Sequence, residues 1–247
     1  MGSAMSETPL RSFGTIPICS PGSHIRRASD ETLNLRRAKI CHIRVAHRRW
    51  TRSMGLFSKR LVPFQVTICG IDELGLHCEA GVTHVLSILD PGWPEPEAFG
   101  TFDPHQRLEL RFHDVIDAEP GCILPDRPDV EQLLSFGRDL TEAKGAHLLV
   151  HCHAGVSRST AAATLIVAQA RPDRPAEEAL QTIVRRRPRA WPNLRILELG
   201  DALLARRGEI VVAARAHYRR RLEREPWMIE QMIDGGRGRE VAEAGRT

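Results

Sequence analysis

A cysteine, five intervening residues and an arginine, followed at once by a serine, make up the stretch of this sequence best equipped for nucleophilic chemistry. It runs His151-Cys152-His153-Ala154-Gly155-Val156-Ser157-Arg158-Ser159-Thr160. Leu148-Leu149-Val150 precede it, and Ala161 to Ala170 follow with apolar residues on nearly every side. A buried strand is therefore expected to end at a thiol, with a short glycine-containing loop behind it and an arginine opening a buried helix. Successive backbone N–H groups in a tight turn ahead of a helix form a nest for an anion, and the helix N-terminus adds a positive end. The same field favours a thiolate at Cys152. Arg158 can grip two oxygens of a phosphoryl group bidentately, which a lysine does less well. Gly155 allows a positive φ or a close backbone approach to the ligand. The chemistry this spells is transfer of a phosphoryl group to sulfur. A buried thiol and an unrelated surface arginine would need neither the strand before nor the helix after. His151 and His153 flank the cysteine, but neighbours on an extended chain point to opposite faces. No second ligand cluster stands at zinc-like spacing, so no metal is expected.

These residues resemble the signature of the protein tyrosine phosphatase superfamily, HCxxGxxR followed by Ser or Thr, and every position matches. Ala154-Gly155 and Ser157-Arg158-Ser159 resemble the dual-specificity branch in particular, and the resemblance extends over about residues 62–206. Pro192-Asn193 resembles a Pro-Asn of that branch. Leu108 to Asp114, Leu148 to Ala163 and Arg187 to Gly208 are similar to a group of bacterial tyrosine-phosphatase-like proteins. The resemblance implies Cys152 as nucleophile, and His153, Ala154, Gly155, Val156, Ser157 and Arg158 as the phosphate-binding residues. Ser159 would donate a hydrogen bond to the departing thiolate, Asn193 would buttress the loop, and His151 would support it through hydrogen bonds and help tune Cys152, a merely packed histidine being the alternative. No cofactor is implied.

Such a reaction needs a proton for the leaving oxygen, usually from a carboxylic acid on another loop. Members of the branch carry an aspartate just after the strand that precedes the loop-side helix, which implies Asp114 here. Asp117 is the alternative acid, and Asp126 and Asp129 stand further along, Asp129 reading as a helix cap. The loop residues His153, Val156 and Ser157 include no lysine, which leans toward phosphoprotein over phosphoinositide. The expected partner is a phosphoprotein or other phosphomonoester, phosphotyrosine foremost, with phosphoserine and phosphothreonine also open. A small-molecule or RNA 5′-phosphate stays open too. Two other classes compete: a rhodanese-like sulfurtransferase, which needs no acid aspartate, and a weakly catalytic phosphate-binding module.

The elements that must position these groups alternate between strand and helix from residue 64 onward. Phe64–Cys69, Val82–Leu89, Arg107–His113 and His147–His151 read as strands. Asp72–Ala80, Asp129–Ala143, Ser159–Ala170, Ala176–Arg187, Leu194–Arg206 and Glu209–Arg224 read as helices. This predicts an α/β fold, a mostly parallel sheet of about four to five strands flanked by helices.

The net charge of +4 is a balance of unlike regions: residues 1–60 carry +9, residues 61–204 carry −8 and residues 205–247 carry +3. Residues 1–60 have no sustained hydrophobic period and read as a disordered basic extension. A transit peptide, a basic binding arm and an over-extended reading frame with its true start at Met54 are further readings, and no function is the favoured one. The expected divisions are thus 1–60, a phosphatase domain at 61–206, and a C-terminal helix with a frayed tail at 207–247. The six cysteines show no CxxC, which argues against a disulfide framework and for reduced thiols. No apolar run reaches membrane-spanning length, and no motif supports a nucleic-acid partner. A cytoplasmic monomer is expected.

Overall fold

The computed structural model describes residues 61–246, so the expectations for residues 1–60 lie outside the described residues. Four strands form one sheet: β1 (Gln65–Cys69), β2 (His84–Leu89), β3 (Gln106–Arg111) and β4 (His147–His151). They lie in the order β1-β4-β2-β3 and every pairing is parallel. The two central strands, β2 and β4, are buried at every position, as strands covered on both faces must be.

Alternation along the strands sorts side chains into two layers. Val66, Ile68, Leu86, Ile88, Leu110, Leu148 and Val150 point into the larger core. Cys69, Val85 and Leu149 point the other way, onto Leu74 and the partly buried Phe99 and Phe102. The larger face is covered by α1 (Arg127–Glu142) and α2 (Arg158–Ala170), with α3 (Ala176–Arg186), α4 (Leu194–Leu203) and α5 (Glu209–Arg224) packed behind them in the same core. The smaller face is covered by 3-10 turns at Ile71–His77 and Glu97–Thr101. The α/β expectation with a parallel sheet holds.

Local chemistry accounts for several helix ends. Asp126, rather than the expected Asp129, is the N-cap of α1. Its Oδ1 accepts from Asp129 N at 3.1 Å while Asp126 N donates back to Asp129 Oδ2 at 2.9 Å, a reciprocal capping box. Helix α4 stops at Leu203 instead of Arg206, because Ala205 and Arg207 adopt φ of 51° and 54°. Asp201 then accepts from Gly208 N and Ile210 N at 2.6 and 2.8 Å, which starts α5. Gly200 permits the close crossing of α4 and α2, since a Cβ there would sit 2.3 Å from Leu165.

The frayed tail is corrected by the structure. After α5 the chain forms α6 (Met228–Met232), a π-helical turn (Ile233–Arg237) and α7 (Gly238–Ala244). Met228, Arg237, Glu240, Glu243 and Ala244 are buried. Gly236 makes the turn, taking φ +74° between the two helices. The described residues therefore make one compact unit with no boundary at 206. Cys69, Cys78 and Cys152 are free thiols. Among the described residues no helix is long and apolar enough to cross a membrane.

Candidate active site

Because the sheet is parallel and nearly in register, the C-terminal ends of its strands open onto one crevice, where ligands of such sheets bind. The loop 153–157 leaves β4 there and enters α2. Every carbonyl of that loop is bonded away from the crevice. His153 O accepts from Ile71 N at 3.0 Å, and Val156 O from Trp191 N at 2.9 Å. Gly155 O accepts from Arg187 Nε at 2.9 Å, and Ala154 O from Arg187 Nη2 at 3.0 Å. Ser157 O accepts from Ala161 N at 3.0 Å. The N–H groups of residues 153–158, by contrast, have no acceptor among the described residues. A ring of outward carbonyls leaves a ring of uncommitted donors, which is how backbone makes an anion nest.

Gly155 is required in this ring. Its φ is +67°, and a Cβ would lie 2.5 Å from the carbonyl of Cys69. Arg187 braces the loop from outside, held in turn by Glu73 at 2.8 Å.

Cys152 is 2% exposed, and its Sγ lies 3.2 Å from Ser159 Oγ. Arg158, 3% exposed, donates through Nη1 to Asp90 Oδ1 at 2.5 Å and to Phe112 O at 2.6 Å. Its Nε is buried without an acceptor and its Nη2 makes no hydrogen bond. One corner of the guanidinium is thus tethered, and the Nε/Nη2 edge, suited to two oxygens at once, stays open.

Asp114 follows β3 and lines a cleft of about 340 Å³ with Cys152, Arg158, Met228, Met232 and Arg237. Its Oδ1 accepts from Ser157 Oγ at 2.7 Å, Asn193 Nδ2 at 2.9 Å and Arg237 Nη1 at 3.1 Å. Burial works against ionisation, but Arg237 and Arg158, with the Asn193 and Ser157 hydrogen bonds, hold the carboxyl below the usual range. Asp117 is directed elsewhere, pairing with Arg239 at 2.9 Å with 56% of its side chain exposed. Asp126 and Asp129 are occupied in the α1 cap.

Asn193 joins the acid loop to the phosphate-binding loop, since its own N–H reaches Ser157 O at 3.4 Å. His151 ends β4 beside Cys152 and is fully buried. Its ring lies 5.5 Å from that of Phe99. Burial, with Arg107 nearby, lowers its pKa to about 4, so the ring is neutral. His153 accepts from Asp90 N through Nε2 at 3.1 Å, and its ring meets Trp93 edge-on at 4.4 Å.

Over 131 residues the chain is 32% identical to human protein phosphatase Slingshot homolog 3, a match covering 50% of this chain and 17% of that protein. The chain therefore spans about a sixth of that curated relative's length. The chain is similar to protein phosphatases. Among solved structures, human DUSP28 matches at 21% identity and a TM-score of 0.45, covering 60% of this chain and 98% of that one. The human tyrosine phosphatase-like serine/threonine/tyrosine-interacting protein matches at 18% identity and a TM-score of 0.43, covering 59% and 94%. No family model matches the chain.

Sequence reasoning missed Asp90, Glu73, Arg187, Trp191 and Arg237. Asp90 alone carried a usable signal, because it directly follows a central parallel strand.

Proposed function

We propose that this chain is a cysteine-dependent phosphatase acting on phosphomonoesters, phosphotyrosine foremost. The observation that carries the reading is the ring of uncommitted N–H groups around Cys152, closed by the open edge of Arg158. Three equatorial phosphoryl oxygens find donors there, and the sulfur faces the phosphorus in line with the leaving oxygen.

In the first step the Cys152 sulfur forms a bond to phosphorus as the bond to the leaving oxygen breaks, and Asp114 gives that oxygen its proton. In the second step ionised Asp114 takes a proton from water, whose oxygen attacks phosphorus. The sulfur leaves as a thiolate that accepts a hydrogen bond from Ser159. Asp114 presents Oδ2, which makes no hydrogen bond among the described residues, for the proton in both steps. Asp114 is ionised in the free enzyme. The arriving phosphate dianion offsets Arg158 and raises the affinity of Asp114 for a proton, which it takes from solvent before the first step.

Met228, Met232 and Trp191 give the cleft apolar walls, which suit an aromatic leaving group. No lysine stands in the loop for a second phosphate. The constellation is complete within one chain, which supports a monomer. A catalytic thiol must stay reduced, which supports a cytoplasmic setting.

The test compares turnover of p-nitrophenyl phosphate with sulfur transfer from thiosulfate, followed by a panel of phosphopeptides. The expectation is phosphate release, fastest from phosphotyrosine. Sulfur transfer without phosphate release would overturn the reading.

A further inference from the structure

The last folded segment of the chain brings an arginine into the cleft from 123 positions beyond the residue it meets. Arg237 ends the π-helical turn, and all of its donors are committed. Nε and Nη2 grip Glu240 at 2.9 and 2.7 Å, Nη2 also donates to Ser157 Oγ at 3.1 Å, and Nη1 donates to Asp114 Oδ1 at 3.1 Å and to Asp114 O at 3.5 Å. Glu240 is fully buried and is itself fixed by Leu194 N at 2.9 Å and by Trp191 Nε1. Trp191 stacks on Tyr218 of α5 with ring centroids 4.6 Å apart.

We propose that Arg237, anchored by Glu240, is a positioning residue for Asp114: it fixes one carboxylate oxygen and leaves the other toward the leaving group. This rests on the phosphatase reading. Arg237 has no donor left for a phosphoryl oxygen, so it acts through Asp114 and not on the substrate. The geometry makes the C-terminal segment part of the acid–base apparatus.

Charged and polar groups face Asp114 from each surrounding element. Arg158 comes from the start of α2, Ser157 and His153 from the loop, Asn193 from the cap of α4, and Arg237 from the C-terminal turn. Asp90 is paired with Arg158, and Arg239 with Asp117 and Glu198. Burial and Arg158 lower the pKa of His153, leaving its ring neutral. Burial opposes charge on Arg237, and the carboxylates of Asp114 and Glu240 outweigh it. Removing Arg237 therefore takes away the largest of the influences that hold Asp114 ionised.

The experiment measures kcat against pH for the full chain with phenyl phosphate, whose poor leaving group depends on the acid. In Arg237→Met the alkaline fall of kcat should move up by about one pH unit, because the acid keeps its proton longer. Arg237→Lys, which retains the charge, should move it less. Inhibition by inorganic phosphate should stay within about twofold, since Arg237 does not touch phosphate. If Arg237→Met fails to fold around unpaired Glu240, the double variant Arg237→Met/Glu240→Gln carries the same expectation. An alkaline limb unmoved in a folded, active variant overturns the proposal, as does a loss of phosphate affinity without a limb shift. A wild-type chain that hydrolyses neither phenyl phosphate nor p-nitrophenyl phosphate would instead sink the phosphatase reading itself.

Discussion

Asp114 and Asp117 lie three positions apart and differ in everything that decides proton transfer. Asp114 lines the cleft with one oxygen tied down by Ser157, Asn193 and Arg237, while Asp117 points to solvent beside Arg239. Asp114→Asn should therefore cut turnover of a phosphotyrosine peptide by roughly 10²-fold or more, with a much smaller loss on p-nitrophenyl phosphate, because acid help matters most for a basic leaving oxygen. Asp117→Asn should leave both rates within about twofold. Steady-state kinetics on the two substrates checks this, and a leaving-group-dependent loss at Asp117 alone would exchange the assignments. The resemblance pointed to Asp114 from sequence, but not to its partners: a side chain's hydrogen bonds to residues far along the chain leave no trace in local spacing.

At the scale of the element, the strand–loop–helix was legible because its signals are local. The apolar run into Cys152 and the apolar helix after Arg158 have to be buried wherever they fold, and Gly155 stands where the backbone bends sharply. Gly155→Ala adds a Cβ 2.5 Å from the Cys69 carbonyl at a φ of +67°. It should destabilise the chain by roughly 2 kcal/mol or more and weaken phosphate binding at least tenfold, as thermal melting and phosphate inhibition would report. An alanine variant with unchanged phosphate affinity would mean the loop tolerates a shape the nest does not allow. Less legible was what braces the loop. Arg187 reads as the basic last turn of a helix, and only the folded chain brings it to the carbonyls of Ala154 and Gly155. The α1 cap was misread for a related reason. Asp126 and Asp129 are both acidic and both near the helix start, and the reciprocal bonds that rank them are invisible in the string.

On the scale of the whole molecule, the C-terminal segment is where pattern reading fails most. The segment reads as a frayed tail, yet Arg237 and Glu240 are buried, and Met228, Met232 and Arg237 line the cleft. The fold also sets a dependence on pH through His151. Its folded pKa, about 4, lies below the ordinary 6.5, so between those values the unfolded chain binds more protons. The contribution is complete above 6.5 and is lost as pH falls toward 4, up to roughly 3 kcal/mol. Melting temperature should fall over that window, and His151→Asn should flatten the slope; an unchanged slope would show the ring is not what titrates.

The central claim is that phosphate passes through the sulfur of Cys152, and trapping that adduct tests it most directly. Ser159→Ala, lacking the hydroxyl 3.2 Å from the sulfur, should release the cysteinyl phosphate slowly. Rapid quenching during turnover of p-nitrophenyl phosphate should then give a nitrophenol burst stoichiometric with enzyme and, by peptide mass mapping, a phosphoryl group on Cys152. Phosphate on any other residue, or turnover by Cys152→Ser at a rate near wild type, would contradict the account.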